Sequence, residues 1–343
     1  MIKKMMLNIF TIILFLLISA CGSKVETNKQ NNEIIGAGAT FPYPLYSKMF
    51  HEYNVLNDVK INYQSIGSGG GVRQLMKQTV LFGGTDAFIT DSKMSSFPNE
   101  IIHIPTCLGA VAITFNLSNI NTDLNLSAEV LADIFLGKIK KWNDKKIQNL
   151  NQSISLPDIA ITPVYRSDGS GTTAIFTDYL SKISSEWKST VGFGKSVNWP
   201  LGVGSKGNSG VMGVVNQIPG AIAYVNLAYC IQNNKPTISL QNLNGEFVQP
   251  SIESTTLAAD CEIPDDTRVS LTNSPVKGAY PIVGFTWIIA YKNQQENSKG
   301  TLLKDLLLWI VQDGQTYTSP LLYAPLPKSV TEKSIKIINS IKI

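Results

Sequence analysis

The chain has 343 residues, which is enough for two domains that each bury a substantial core. Its formal net charge is +4, and removal of the two lysines in the first twenty residues leaves 27 basic against 25 acidic side chains. A chain so close to neutral argues against nucleic-acid binding, which needs a concentrated basic face. The two histidines, His51 and His103, lie outside any Cys/His/Asp cluster with metal-ligand spacing, so we expect neither a metal nor a cofactor.

The N-terminus has the pattern of an export signal. Two lysines precede an apolar stretch too short for a comfortable membrane span, and the small residues of LISAC follow. This ending resembles a bacterial lipobox, in which the cysteine becomes the lipidated first residue; a non-cleaved membrane anchor is the alternative. We therefore predict a signal peptide over 1–20, lipidation of Cys21 and a flexible tether over 21–33, a segment with almost no apolar side chains.

Three cysteines remain after the predicted lipidation site: Cys107, Cys230 and Cys261. An odd number in an oxidising compartment allows at most one disulfide and one thiol. Burial of all three as small apolar side chains fits the sequence equally well.

Strand-like apolar runs alternate with helical patterns along the whole chain, which predicts an α/β protein. We expect strands over 33–38, 59–65, 84–90, 109–116, 220–226 and 283–292. We expect helices over about 43–53, 71–80, 127–135 and 300–312.

The stretch VYRSDGSGTTAIF, residues 164–176, places an arginine and an aspartate beside a run of small residues. A strand ends near Tyr165, the next small residues are typical of a turn, and helical spacing begins at Thr172. A loop of small residues that opens a helix gathers free backbone N–H groups at the positive end of the helix dipole. The pattern therefore predicts an anion site.

Three further small-residue loops have the same character, at 36–44, 65–72 and 83–91, and the last contributes Asp86. One such loop is usually structural, but several with a single arginine among them indicate a buried anion site. In open α/β sheets these loops meet at the carboxyl ends of the strands.

Familiar nucleotide and hydrolase motifs do not fit the sequence. GVGSKG at 202–207 matches a dinucleotide pattern by letter, but it follows a poor strand and lacks the expected acidic residue, so we interpret it as the start of a helix. The sequence contains neither a P-loop nor a G-x-S-x-G motif, and Ser170 has no nearby histidine in the sequence that would activate it as a nucleophile.

Six segments together resemble the phosphate-binding protein family of the bacterial high-affinity phosphate importer, in register over about 34–330. They are GAGATFPYPLY, INYQSIGSGGGVRQ, LGKIKKWND, YRSDGSGTTAIFTDYL, NWPLGVGSKGNSGV and PGAIAYVN. The resemblance implies an α/β, two-lobed periplasmic-binding-protein fold of type II that closes on one phosphate. Two crossing strands, GAVAITFN and VGFTWIIAY, would join lobe I (34–112 plus 284–343) to lobe II (113–283).

The same resemblance implies a set of phosphate-binding residues: Thr40, Phe41, Ser68, Asp86, Arg166, Asp168, Ser170, Gly171 and Thr172. We interpret Arg166 as a planar fork on two phosphate oxygens, held in place by Asp168, whose alternative role is only to cap the helix. Asp86 would accept a hydrogen bond from a protonated phosphate oxygen, which sulfate lacks. The residues after Asp86 are bulkier than the family pattern, which leaves the shape of that loop open.

The predicted function is that of a monomeric, lipid-anchored extracytoplasmic receptor. It would bind inorganic phosphate in a closed cleft and deliver it to an ABC permease in the inner membrane, without enzymatic activity. The alternatives are an exported phosphate-ester hydrolase and a receptor for another oxyanion. The sequence has no metal cluster and no activated nucleophile, which argues against the hydrolase.

Overall fold

The structure is a computed structural model that describes residues 32–118, 120, 122–294 and 297–343. The predicted signal peptide, Cys21 and nearly all of the predicted tether lie outside these ranges. Within them, none of the helices has the length and apolar character needed to span a bilayer.

The strands of the described chain are β1 (Glu33–Gly38), β2 (Lys60–Ser65), β3 (Phe82–Thr85), β4 (Ile101–Phe115), β5 (Leu124–Leu126), β6 (Thr162–Arg166), β7 (Val203–Ser205), β8 (Ala221–Asn226), β9 (Ile238–Gln241), β10 (Phe247–Val248) and β11 (Val283–Tyr291).

The α-helices are α1 (Tyr43–Asn57), α2 (Ser68–Met76), α3 (Asp91–Met94), α4 (Ala128–Phe135), α5 (Lys145–Leu150), α6 (Gly171–Ile183), α7 (Ser185–Thr190), α8 (Gly207–Gln217), α9 (Leu227–Gln232), α10 (Ile252–Leu257), α11 (Asn297–Val311) and α12 (Lys328–Asn339). Two 3₁₀ turns, Asp313–Tyr317 and Ser319–Leu321, separate the last two helices.

One curled sheet runs through both lobes in the order β2-β1-β3-β11-β4-β8-β6-β7, and a small sheet, β10-β9-β5, lies apart from it. The long strand β4 is buried along its whole length. Residues 101–110 of β4 pair with β11, whereas residues 111–115 pair with β8, so β4 belongs to both lobes. The chain enters lobe II along β4 and returns to lobe I along β11, which lies between β3 and β4. These are the predicted crossing strands, and the two-lobed α/β fold is confirmed.

Parallel pairing brings the predicted anion loops together. In lobe I, β1 is parallel to both β2 and β3, so the loops after all three strands lie at one edge. In lobe II, β6 is parallel to β7 and β8. The two edges meet where the Gly69 amide donates to the carbonyl of Gly169 at 2.8 Å.

Several predicted elements have different bounds. The strand expected over 109–116 belongs to β4, which already begins at Ile101, and the helix expected over about 43–53 continues to Asn57. The second helix begins at Ser68 rather than near 71, because its glycines allow close packing: a Cβ on Gly71 would lie 2.4 Å from the carbonyl oxygen of Ala37. The predicted strand over 84–90 is β3, which ends at Thr85, so Asp86 follows the strand. Its sequence FGGT is a poor strand former, but pairing with β1 on one side and β11 on the other overrides that propensity.

The three cysteines in the described chain are free thiols. Cys107 and Cys230 are buried, as the apolar interpretation expects, whereas Cys261 is exposed. The alternative with one disulfide is therefore not realised in this structure.

Candidate functional site

The loop between β1 and α1 is held by three tyrosine hydroxyl groups, each of which donates to a successive carbonyl oxygen. Tyr63 donates to Ala39 (2.9 Å), Tyr229 to Thr40 (2.6 Å) and Tyr323 to Phe41 (2.7 Å). In a trans peptide the N–H points away from the preceding carbonyl. Anchoring these carbonyls in the protein therefore turns the amides of Thr40 and Phe41 toward the cleft, where they donate to no described residue.

Ser68, the first residue of α2, links the two lobes. Its Oγ accepts hydrogen bonds from the Asp86 amide (3.3 Å) and from the Gly171 amide of the other lobe (3.0 Å). A hydroxyl oxygen accepts two hydrogen bonds, so the remaining function of this group is to donate. It donates to Asp86 Oδ2, with 3.4 Å between the two oxygens.

Asp86 is the buried carboxylate of the site, with only 1% of its surface exposed. Thr286 Oγ1, on crossing strand β11, donates to its Oδ1 at 2.9 Å. Burial raises the pKa of Asp86 to about 7, against the opposing effects of the Thr286 hydrogen bond and the Arg166 and Lys195 charges. Burial therefore disfavours the charged form of this carboxyl group, and the neighbouring cations and hydrogen-bond donors partly restore it.

Lys195 brings a second cation near Asp86 that sequence reasoning missed. Burial lowers the pKa of Lys195 to about 8, and the Asp86 charge partly offsets this. Its backbone carbonyl accepts from the Ser170 amide at 2.8 Å, which fixes the segment beside the helix that opens at Gly171. The side chain lies in the WKSTVGFGKSVNWP segment, where nothing in the local pattern indicates an anion site.

Arg166 and Asp168 form a bidentate ion pair. Arg166 Nε donates to Oδ1 at 2.7 Å and Nη2 to Oδ2 at 2.6 Å, and the side chains are 1% and 13% exposed. Burial raises the pKa of Asp168, but the Arg166 hydrogen bonds and charge outweigh it and hold the pKa below its usual range. The Gly207 amide, at the start of α8, also donates to Oδ1 at 3.1 Å. Asp168 thus orients the arginine, whereas the N-cap of the helix that follows is Ser170.

The third guanidinium nitrogen, Arg166 Nη1, is buried and has no hydrogen-bond partner among the described residues. A buried charged donor is costly to leave unpaired, because it has lost its hydration. Nε and Nη2 of Arg166 are therefore fixed on Asp168, while Nη1 is available to donate to a ligand.

The N-terminus of α6 supplies the loop of the opposite lobe. Ser170 is its N-cap, and its Oγ accepts from the Thr173 amide at 3.0 Å. The amide of Thr172 donates to no described residue, and both Ser170 and Thr172 are fully buried. Free N–H groups here carry the positive end of the helix dipole, which favours an anion.

The structure brings all nine predicted residues into one cleft between the lobes. It contributes free amides (Thr40, Phe41, Ser68 and Thr172), hydroxyl groups and the free arm of Arg166 as donors. Their contact with phosphate stays a prediction. Sequence reasoning missed Thr286, Lys195 and Asn208; of these, Asn208 alone carried a local signal, since it follows the small-residue loop GVGSKG.

Metal and nucleophile chemistry find no support in this cleft. No group of three or more His, Cys, Asp or Glu side chains in the described chain is placed to hold a metal ion. His103 accepts from the Ile89 amide at 3.0 Å, and burial lowers its pKa to about 3, so it stays neutral and structural. The arrangement is suited to binding an anion.

Relatives with assigned names share most of this chain. A model of the PBP superfamily domain matches residues 23–313. The phosphate-binding protein PstS of Pasteurella multocida is 43% identical over 322 residues, which cover 93% of each chain. The PstS of Methanocaldococcus jannaschii is 37% identical over 374 residues, covering 99% of this chain and 96% of that protein.

Solved structures agree in fold. A high-affinity periplasmic phosphate-binding protein bound with phosphate superposes with a TM-score of 0.72 at 21% identity, over 91% of this chain and 99% of that one. A phosphate-binding protein from Stenotrophomonas maltophilia gives a TM-score of 0.66 at 18% identity, over 89% and 93% of the chains. At this identity the likeness supports the fold, while the sequence relatives establish the family. This chain belongs to the PstS family of phosphate-binding proteins.

Proposed function

We propose that this protein is a receptor that binds one inorganic phosphate ion in the cleft and delivers it to an ABC permease. The observation that carries the proposal is the free, buried Nη1 of Arg166. This charged nitrogen has no acceptor among the described residues, and a bound anion would supply one. The relatives named PstS are phosphate-binding proteins. Amides from both lobes supply further donors that an oxyanion's oxygens can accept.

Asp86 favours phosphate over other tetrahedral oxyanions. A buried carboxylate repels an anion unless the ligand brings a proton to share. Phosphate carries at least one proton near neutral pH, so its P–OH can donate to Asp86, whereas sulfate presents only lone pairs. A site built around a ligand's hydrogen bond rejects an analogue without it by about 10⁴–10⁵, because the site's buried group is left unpaired.

The selectivity is tested by titrating phosphate and sulfate into the wild type and Asp86→Asn by calorimetry. We expect the variant to bind phosphate modestly less well and to lose most of its preference over sulfate, because an amide can donate to a fully ionised oxygen. Asp313→Asn, which makes the same change at an exposed residue of the first 3₁₀ turn, serves as the control. An unchanged phosphate-to-sulfate ratio in Asp86→Asn removes the carboxylate from the selectivity mechanism.

The hydrolase alternative is weaker because, among the described residues, neither an imidazole nor a metal-binding group of side chains accompanies the hydroxyl groups of the cleft. Ser68, Ser170 and Thr172 contact no imidazole among the described residues, and their partners are amides and Asp86. The direct test sets phosphate titration beside turnover of a chromogenic phosphate ester. Turnover without tight phosphate binding contradicts the receptor and supports the ester hydrolase.

We propose that the chain is held outside the cytoplasm by lipid at Cys21 and that it acts as a monomer. The lipobox pattern supports this, and metabolic labelling with palmitate tests it: wild type should be labelled and Cys21→Ala should not.

The lobe boundaries are proposed at 34–112 plus 284–343 and at 113–283. The change of partner along β4, from β11 to β8 at residue 111, supports the boundary near 112.

Closure on the ligand follows from a site built on both lobes. Phosphate contacts exist together only when the cleft is shut, so phosphate shifts the population toward the closed form. Small-angle scattering should show a smaller radius of gyration with phosphate. An unchanged radius contradicts ligand-driven closure.

A further inference from the structure

Asn208 makes an unusual set of contacts at the start of α8. It is fully buried and belongs to lobe II, yet its side-chain Nδ2 donates to Thr40 Oγ1 of lobe I at 2.9 Å. Its backbone amide donates to the same oxygen at 3.2 Å. One residue thus directs two donors at a single hydroxyl group across the cleft.

The orientation of the Asn208 amide is fixed by its other end. Oδ1 accepts from the backbone amide of Asn226, at the end of β8, at 3.3 Å. A backbone N–H can only donate, so the oxygen must face Asn226 and the nitrogen must face Thr40. The nitrogen also lies 3.4 Å from Thr172 Oγ1, which places it beside the two predicted threonine ligands.

These contacts determine what the Thr40 hydroxyl can do. Its oxygen accepts two hydrogen bonds at most, and Asn208 provides both. Its proton donates to no described acceptor. We propose that Asn208 is a positioning residue that holds the Thr40 hydroxyl as a donor to the bound anion and forms its bonds only when the lobes are closed. This inference rests on the proposed phosphate binding.

The neighbouring residue supports the same role for the helix end. Gly207 donates to Asp168, which orients Arg166, while Asn208 donates to Thr40. The first turn of α8 therefore positions one donor from each lobe, Thr40 of lobe I and Arg166 of lobe II. None of its own residues is a predicted phosphate ligand. Sequence change in this turn alters affinity through Thr40 and Arg166.

The test begins with calorimetry of inorganic phosphate binding to wild type, Asn208→Ala and Asn208→Asp. Loss of one buried hydrogen bond in Asn208→Ala should weaken binding by about fivefold to fiftyfold, with faster release. In Asn208→Asp the carboxylate must accept the Thr40 proton, which reverses the hydroxyl, so we expect a loss of about a hundredfold or more. Asn216→Asp makes the same change on an exposed part of the same helix and should leave the affinity unchanged.

A double-mutant cycle with Thr40→Val separates positioning from a general structural role. If Asn208 acts through the Thr40 hydroxyl, Asn208→Ala should change phosphate affinity by less than about twofold when Thr40 is already valine. A loss that persists unchanged in the Thr40→Val background overturns the proposal, as does wild-type affinity in Asn208→Ala. Circular dichroism of each ligand-free variant confirms that it is folded. A wild type that binds no phosphate refutes the proposed function instead.

Discussion

Replacing Gly171 with alanine should block closure without damaging either lobe. A Cβ at this position would lie 2.5 Å from Ser68 Oγ and 2.6 Å from both Cβ and Oδ2 of Asp86, all of them on the opposite lobe. Ordinary van der Waals contact begins at 3.4 Å, so the facing loops must separate locally by about 1 Å. Within its own lobe the added methyl group extends α6 with a better helix former.

The separation removes hydrogen bonds that exist only in the closed form. The bond from the Gly171 amide to Ser68 Oγ lengthens from 3.0 Å to about 4 Å, and the Gly69–Gly169 bond of 2.8 Å is stretched beside it. At ~1 kcal/mol for each of these and a similar amount for a weakened ligand contact, the loss is about 3 kcal/mol, or roughly a hundredfold in phosphate affinity.

Calorimetry with phosphate measures this loss, and thermal unfolding of the ligand-free protein shows whether the lobes are intact. Gly213→Ala is the matched control: it lies in α8 where an added Cβ meets nothing within 4 Å. It should leave phosphate affinity unchanged and raise the free energy of unfolding by up to ~1 kcal/mol. Wild-type affinity in Gly171→Ala would refute the closed geometry on which the site is built.

Three further predictions concern charge. Arg166→Lys keeps the charge but cannot hold Asp168 with two bonds and a ligand with a third, so phosphate affinity should fall by about tenfold or more; equal affinity in calorimetry would show that charge alone suffices. Lys195→Met removes a cation that lowers the pKa of Asp86, so the Asp86 titration followed by NMR should move to higher pH; an unmoved titration contradicts their proximity. The pKa of Asp86 is raised from 3.8 to about 7 in the closed cleft, so its contribution to stability is fully present below about pH 4 and lost as pH rises to about 7. Asp86→Asn should therefore have a higher free energy of unfolding than wild type, by up to ~4 kcal/mol above pH 7 and by the least near pH 4. Denaturant unfolding measures this difference, and a difference that does not change with pH would contradict the buried carboxylate.

The sequence predicted the loops because their chemistry is local. Ser127 opens the helix expected over 127–135, where its Oγ accepts from the Val130 amide at 3.3 Å, and Ser170 caps the helix that was expected to begin nearby. Strand-to-helix passages with small residues carry their own signal, since glycine, serine and threonine are what a tight turn and a helix start require.

The remainder of the site depends on contacts between distant parts of the chain. Thr286 meets Asp86 across 200 positions because β11 returns to lobe I beside β3. Lys195 approaches the same carboxyl group from the other lobe, and Asn208 meets Thr40 only in the closed cleft. No local pattern marks such pairs, so they could be found only once the strand order and closure were known.

The way the cleft fixes hydrogen-bond direction explains how a nearly neutral site can select its anion. Ser68 Oγ accepts from two amides and donates to Asp86 Oδ2, whereas Thr40 Oγ1 accepts from two Asn208 donors and is left to donate to a ligand. The free amides and the arm of Arg166 also donate, which leaves Asp86 as the acceptor among them. An ion with one protonated oxygen matches this pattern, because its proton meets the carboxylate while its other oxygens meet donors. In a fully ionised ion of the same size, the oxygen that faces Asp86 carries no proton to donate. In a neutral polyol, hydroxyl protons would point at hydrogen-bond donors of the cleft. Selectivity therefore comes from the direction of each hydrogen bond, which the surrounding amides and Asn208 hold, more than from net charge.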